Sequence, residues 1–227
     1  MAPSADASFR VPVAGRSGDI LAVFTRAVAE KGYAGANFSD IAAELGISKG
    51  TIVHHYGTKD RLFAAMLQRY MERRLTEANT LLDAFDSSAE QLSALLYAFM
   101  LYQVIDRDST IAFQRETATL ATNPALAEGR RLRAQYLQLF RDVFRRGIEN
   151  GAFLPIDVDV TSLLVFGSSQ WAWTWFRPEG GLSALGVGAD LVRVLLGSIL
   201  ADRSDLATLA DPEGTVALTT QRLLTTP

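Results

Sequence analysis

The chain has no cysteine among its 227 residues, which excludes disulfides, thiolate metal sites and thiol nucleophiles. Histidine is nearly absent too, and its 2 copies, His54 and His55, are adjacent. Helical neighbours point about 100° apart, so this pair cannot grip one metal ion, and no zinc-ligand spacing occurs elsewhere. No GxSxG, phosphate-binding glycine loop or dinucleotide fingerprint appears, which removes the common enzyme signatures. Arg115 and Glu116, neighbours on a predicted helix, face apart and make a poor catalytic pair. No cofactor and no metal are therefore expected. Nothing approaches the ~20 consecutive apolar residues of a membrane span, and the N-terminus lacks an apolar run of signal-peptide length. A cytoplasmic chain without membrane contact is the expectation. A net charge of −3 excludes a bulk-basic nucleic-acid coater.

What is present is a hydrophobic content of 48%, enough for a substantial core in one or two domains. The apolar residues recur with helical period nearly throughout, and no alternating strand pattern or internal repeat is visible. The predicted fold class is all-α. The spacing predicts helices over about 17–31, a short one between Asn37 and Gly46, and then 48–56, 59–85, 89–105, 109–121, 124–150, 158–176 and 183–200. Residues 1–15 read as a flexible arm and 202–227 as a weakly ordered tail. Asn123-Pro124 is a good helix start, since proline at the first position gives up an N–H that has no partner there.

The most informative stretch is NFSDIAAELGISKGTIVHHYGTKDRL, residues 37–62. Ile41, Ala42 and Leu45 form an apolar stripe, and Asn37 or Ser39 can accept a hydrogen bond from a free first-turn N–H. Gly46 makes a tight turn, and Ser48 stands where a second cap belongs. Two helices joined by so few residues cross steeply, as in a helix-turn-helix that offers its second helix to the major groove. That second helix is polar: Lys49, Thr51, His54, His55 and Tyr56 all form hydrogen bonds, and only Ile52 and Val53 are greasy. Such a surface suits phosphate and base contact, with Gly50 allowing close approach and Lys59, after Thr58 at the next helix start, suited to a phosphate. Charge placement has the matching sign. Residues 1–77 hold 10 Lys and Arg against 8 Asp and Glu, while the remainder holds 12 against 17.

Gly32-Tyr33, Asp40-Ile41-Ala42, Leu45-Gly46-Ile47-Ser48, Gly50-Thr51-Ile52, His55-Tyr56 and Thr58-Lys59-Asp60-Arg61-Leu62 resemble the DNA-binding domain of the TetR repressor family, without a gap over about 16–62. The resemblance implies a helix-turn-helix domain at 16–62 and a helical effector-binding and dimerisation domain at 63–201. It also implies a homodimer on double-stranded operator DNA. Val53 departs from the family pattern, occupying a place that usually holds a tyrosine reaching the DNA backbone.

Beyond residue 88 the predicted helices are greasier. Phe99, Tyr102, Gln103, Phe113, Glu116, Tyr136, Phe140, Phe144, Trp171 and Trp175 mix aromatic and polar groups, as walls of a small-molecule cavity do. Core and interface packing is the bland alternative. Arg130, Arg131, Arg133, Arg141, Arg145 and Arg146 crowd one helix, as a solvated face or as a seat for phosphates. The helices over 158–176 and 183–200 carry few charges; a partner subunit or the monomer core would cover them. The family resemblance, in which the last two helices form a dimer interface, favours the partner. WTWFRPEGGLS, residues 173–183, resembles TetR-type repressors of fatty-acid and steroid breakdown that respond to acyl-CoA thioesters. Together these features imply a ligand-released repressor whose effector is an acyl-CoA or another apolar small molecule. A ligand-independent dimeric DNA-binding protein is the rival, with an enzyme on a helical scaffold a more distant one.

Overall fold

The computed structural model describes residues 15–118, 123 and 126–226, and among them helices supply all the regular structure apart from one isolated bridge, Phe153 to Leu200. The first three helices are α1 (Arg16–Gly35), α2 (Phe38–Leu45) and α3 (Lys49–Tyr56). Each boundary has a local cause. In α1 the regular helix breaks at Gly32, whose φ of 75° is the left-handed region where a side chain is strained. The Asn37 side chain caps α2 by accepting from the Ser39 and Asp40 N–H groups. Gly46 ends α2 with φ 62° and ψ 35°, and Ser48 then caps α3 by accepting from the Thr51 N–H. Ile20, Phe24 and Val28 from α1, Ile41 from α2 and Ile52 from α3 are buried and close this small core.

Helix α4 (Lys59–Asp83), capped by Thr58, leaves the small core and enters the larger one. Leu62, Phe63 and Met66 serve the first, and Met71, Ala78 and Leu81 lie further along the same buried side. Next come α5 (Ser88–Ile105), α6 (Arg107–Arg115), α7 (Ala127–Glu149), α8 (Val158–Gln170), the single turn α9 (Ala172–Trp175) and α10 (Ala184–Ile199). A reciprocal capping box between Ser87 and Glu90 opens α5. Helix α5 is buried almost all round, from Leu92 to Gln103, and forms the centre of the larger bundle. Helices α7 and α10 pack on it, and α7 also packs along α4.

Three expectations change. The helix predicted over 158–176 is interrupted at Trp171, whose φ of −99° and ψ of 3° leave the helical ladder. The predicted tail is instead folded into α11 (Leu206–Leu209) and α12 (Thr215–Thr225). Val216, Ala217, Thr220 and Leu224 of α12 are buried in packing against α5 and α4. The helix predicted over 109–121 ends at Arg115. The proposed start at Pro124 and nearly all of the N-terminal arm lie outside the described residues.

Candidate DNA interface and candidate effector cavity

Helix α3 is held from behind and left open in front. Ile52 is its one fully buried residue, and the Tyr56 hydroxyl donates to the Ser17 carbonyl at 2.8 Å while accepting from the Ser17 hydroxyl at 2.8 Å. These contacts tie the helix to the start of α1. Lys49, Gly50, His54 and His55 are exposed and Thr51 is half-buried, so the face predicted to read DNA points outward. The His54 and His55 rings sit edge to face, 5.5 Å apart, both exposed.

The remaining predicted contacts have structural duties of their own. Asn37 and Ser48 spend their side-chain oxygens on caps, and Ser39 is exposed at the start of α2. The Lys59 ammonium lies 4.5 Å from the Tyr33 ring centroid and donates to the Ala34 carbonyl at 3.3 Å. It thereby serves the C-terminal carbonyls of α1 as well as any phosphate. Val53 is 50% exposed beside the reading face, an apolar residue where the helix otherwise presents polar ones.

In the larger bundle a cavity of about 40 Å³ lies between α4, α5, α6, α7 and α8. Of the candidate effector residues, Phe99, Tyr102, Phe113, Arg133 and Tyr136 are on its wall. Phe140 packs one layer behind, stacked on Phe99 at 5.3 Å. Gln103 is buried beside it, donating to Gln114 at 3.2 Å, and Gln114 itself reaches the cavity wall. The other predicted wall residues go elsewhere. Phe144 packs against Phe153, and Trp171 and Trp175 are 65% and 49% exposed because the break after Gln170 turns them outward. The arginine row of α7 is largely occupied: Arg131 pairs with Glu128, Arg141 with Asp159 and Arg145 with Asp142, and Arg146 bonds Gln91. Arg133 is the exception, lining the cavity with no hydrogen bond or ion pair among the described residues.

Sequence reading missed the wall that α4 contributes, Tyr70, Met71 and Arg74. Arg74 is 1% exposed. Its Nη2 donates to Asp106 at 2.9 Å and pairs with Glu77 at 3.0 Å, while Arg73 reaches Glu77 at 2.7 Å and Asp106 at 3.4 Å. Its guanidinium also lies 3.6 Å from the Tyr102 ring centroid and 4.9 Å from that of Tyr70. Burial alone would lower the Arg74 pKa; the neighbouring Tyr102, Asp106, Tyr70 and Glu77 reverse that, so it stays charged. Burial likewise raises the pKa values of Tyr70, Tyr102 and Tyr136, keeping all three neutral donors.

Helix α6 joins the two regions. Phe113 and Gln114 are on the cavity wall, and the next two residues grip the end of α1. Arg115 donates to the Ala29 and Glu30 carbonyls at 3.1 and 3.2 Å, and Glu116 accepts from the Tyr33 N–H at 2.8 Å. A Cβ at Gly32 would stand 3.3 Å from the Glu116 Oε1, so glycine there permits the close approach as well as the positive φ.

Two family models cover most of this arrangement. Residues 20–66 match the tetR family of bacterial regulatory proteins, and residues 86–199 match the tetracyclin repressor-like C-terminal domain. The chain belongs to the TetR family. It is thus a DNA-binding transcriptional regulator and not an enzyme. The HTH-type transcriptional repressor KstR2 of Mycobacterium tuberculosis is 27% identical over 187 residues, spanning 81% of this chain and 92% of that protein. The solved structure of that ketosteroid transcriptional regulator superposes with a TM-score of 0.76 at 26% identity, covering 84% of this chain and 98% of that one. AibR, solved with isovaleryl coenzyme A and operator DNA, shares the fold with a TM-score of 0.73 at 24% identity, covering 80% and 98%. Among the described residues no helix is long and apolar enough to cross a membrane.

Proposed function

We propose that this TetR-family regulator is a repressor that binds a palindromic operator as a dimer and is released by an acyl-CoA thioester. The observation that carries the ligand-release part is the continuity of α6. Consecutive residues touch the cavity, at Phe113 and Gln114, and the last turn of α1, at Arg115 and Glu116. A cavity of about 40 Å³ admits roughly three waters, since ~10–15 Å³ suffices for one. An acyl chain therefore has to push α4, α6 and α8 apart, and α4 and α6 are the helices connected to the reading head. Release follows because the ligand binds the widened state and the operator the narrow one. The acyl part is taken by Phe99, Phe113 and Phe166. The likeness to AibR, solved with isovaleryl coenzyme A, supports that ligand class, and the likeness to KstR2 supports the repressor role.

In this reading Lys49, Gly50, Thr51, His54 and His55 meet the DNA, and Lys59 adds a phosphate contact. Dimerisation uses two apolar stripes at helical spacing: Val160, Leu163, Leu164 and Trp171 along α8 and its end, and Leu191, Val194 and Leu195 on α10. Val160, Leu163, Leu164, Trp171 and Val194 are 52–71% exposed, while Val165, Val192 and Leu196 of the same helices are buried in the core. Apolar rows of this kind are covered by a partner in a two-fold dimer. A native mass spectrum tests both parts, through the mass of the oligomer and of any small molecule that travels with it. The small cavity favours one competing reading, a regulator that works without a ligand. Failure of any acyl-CoA to change operator affinity would establish that reading in place of ours.

A further inference from the structure

The cavity is built from more donor atoms than an apolar acyl chain can use. Tyr102 and Tyr136 are buried with their hydroxyls beside each other, and apart from each other these hydroxyls have no hydrogen-bond partner. Arg74 leaves Nε and Nη1 buried without an acceptor, and Arg133 faces the same space unpaired. A buried donor left unsatisfied costs roughly 1–3 kcal/mol, so a cluster of them is a cost to the fold that a fitting ligand removes. The charges agree. Arg73 and Arg74 are balanced by Glu77 and Asp106, and Arg133, outside that cluster, leaves one positive charge at the cavity. The unpaired buried groups on the wall itself are two phenols, which can donate, and guanidinium N–H groups, which can never accept; Gln103 Oε1 and Glu77 Oε2, acceptors without a hydrogen bond, belong to residues outside the lining.

We infer that this cavity is a carboxylate site, in which the Tyr102 and Tyr136 hydroxyls and the free N–H groups of Arg74 and Arg133 hold the anionic end of an otherwise apolar ligand. The apolar remainder lies along Phe99, Phe113 and Phe166. The inference deepens the effector reading above, and the same chemistry has two sources. One is a free carboxylic acid; the other is a coenzyme A thioester of a dicarboxylic acid, whose distal carboxylate enters first. A neutral ketone or methyl terminus leaves the extra positive charge unanswered.

Calorimetric titration of the full chain without DNA separates these cases. The probes are a medium-chain monocarboxylate, its methyl ester, the acyl-CoA with a methyl terminus and the CoA thioester of the matching dicarboxylic acid. Expected is binding of the monocarboxylate or the dicarboxylyl thioester about tenfold or more tighter than its uncharged-end counterpart. Tyr102→Phe with Tyr136→Phe removes two hydroxyls that have no partner but each other, so the melting temperature holds or rises, yet the preference for the charged end collapses. Arg133→Gln gives the same loss of preference from the other side of the cavity. Equal affinity for charged and uncharged ends, no binding of either carboxylate, or a double variant that keeps the preference would overturn the site. Because DNA is absent, failure of acyl-CoA to release an operator bears on the proposed function and leaves this result standing.

Discussion

At the residue scale, the division of labour on α3 sets the clearest expectations. Thr51 and His54 are on the open face while Ile52 anchors the back, so Thr51→Ala and His54→Ala leave folding intact. Each should alter the ranking among operator variants, at about 1–3 kcal/mol per lost base contact. Lys59→Ala should instead lower affinity for all sequences alike and reduce the salt slope by about one, because a phosphate contact carries no sequence information. Binding assays on an operator library read both, and an altered sequence ranking for Lys59→Ala would remove it from the phosphates. Arg74 is a different kind of residue. Its burial is illegible in the sequence, where Arg69, Arg73 and Arg74 alike read as the side of a long helix opposite Leu62, Phe63, Met66, Leu67 and Tyr70. The cause is non-local: Asp106, 32 residues away, and the rings of Tyr70 and Tyr102 enclose it. Arg74→Met strands Glu77 and Asp106 with Arg73 as their remaining cation. Breaking a buried pair from one side costs about 3–5 kcal/mol, so the denaturant midpoint should drop accordingly. An unchanged midpoint would mean the cluster is hydrated and weak.

At the scale of elements, what was legible was what is local. The caps at Asn37, Ser48 and Thr58 and the turn at Gly46 are decided by residues within one helical turn, so α2, α3 and the start of α4 stand where the pattern puts them. Helix α12 was not legible, since its four buried residues form a short stripe whose meaning depends on packing against α5 and α4. The outward turn of Trp171 was missed for a similar reason. A continuous helix would have put Trp171 and Trp175 on one face, and the break after Gln170 undoes that spacing. About half of the candidate wall residues came together, four aromatic residues and Arg133, while the α4 wall stayed hidden. In the proposed mechanism the α6 to α1 clamp is the element that carries the coupling. Glu116→Ala removes the acceptor for the Tyr33 N–H without touching the cavity wall or α3. Operator affinity without effector should change little, whereas the ratio of affinities with and without effector should shrink, because the coupling passes through this contact. Fluorescence anisotropy with and without ligand measures that ratio. An undiminished ratio would put the coupling in α4 alone.

For the whole molecule, operator recognition depends on two reading heads being held at a fixed separation, about 34–36 Å for half-sites one helical turn apart. In the proposed dimer the exposed stripes on α8 and α10 are the surface for that linkage. Val194 is 71% exposed within the subunit, so Val194→Glu leaves the fold alone and places an unpaired charge in the seam. Light scattering should then show a folded monomer with little operator affinity; a normal dimer would move the interface elsewhere. The charge distribution fits selective rather than adhesive binding, positive by two over residues 1–77 and negative by five over the rest. The central claim, that occupation of the cavity is exclusive with operator binding, is tested most directly by titrating the protein–operator complex with a long-chain acyl-CoA, the free acid and coenzyme A alone. The account predicts release by the thioester at far lower concentration than by either fragment. Release by none of the three, with the complex intact at saturating thioester, would contradict it.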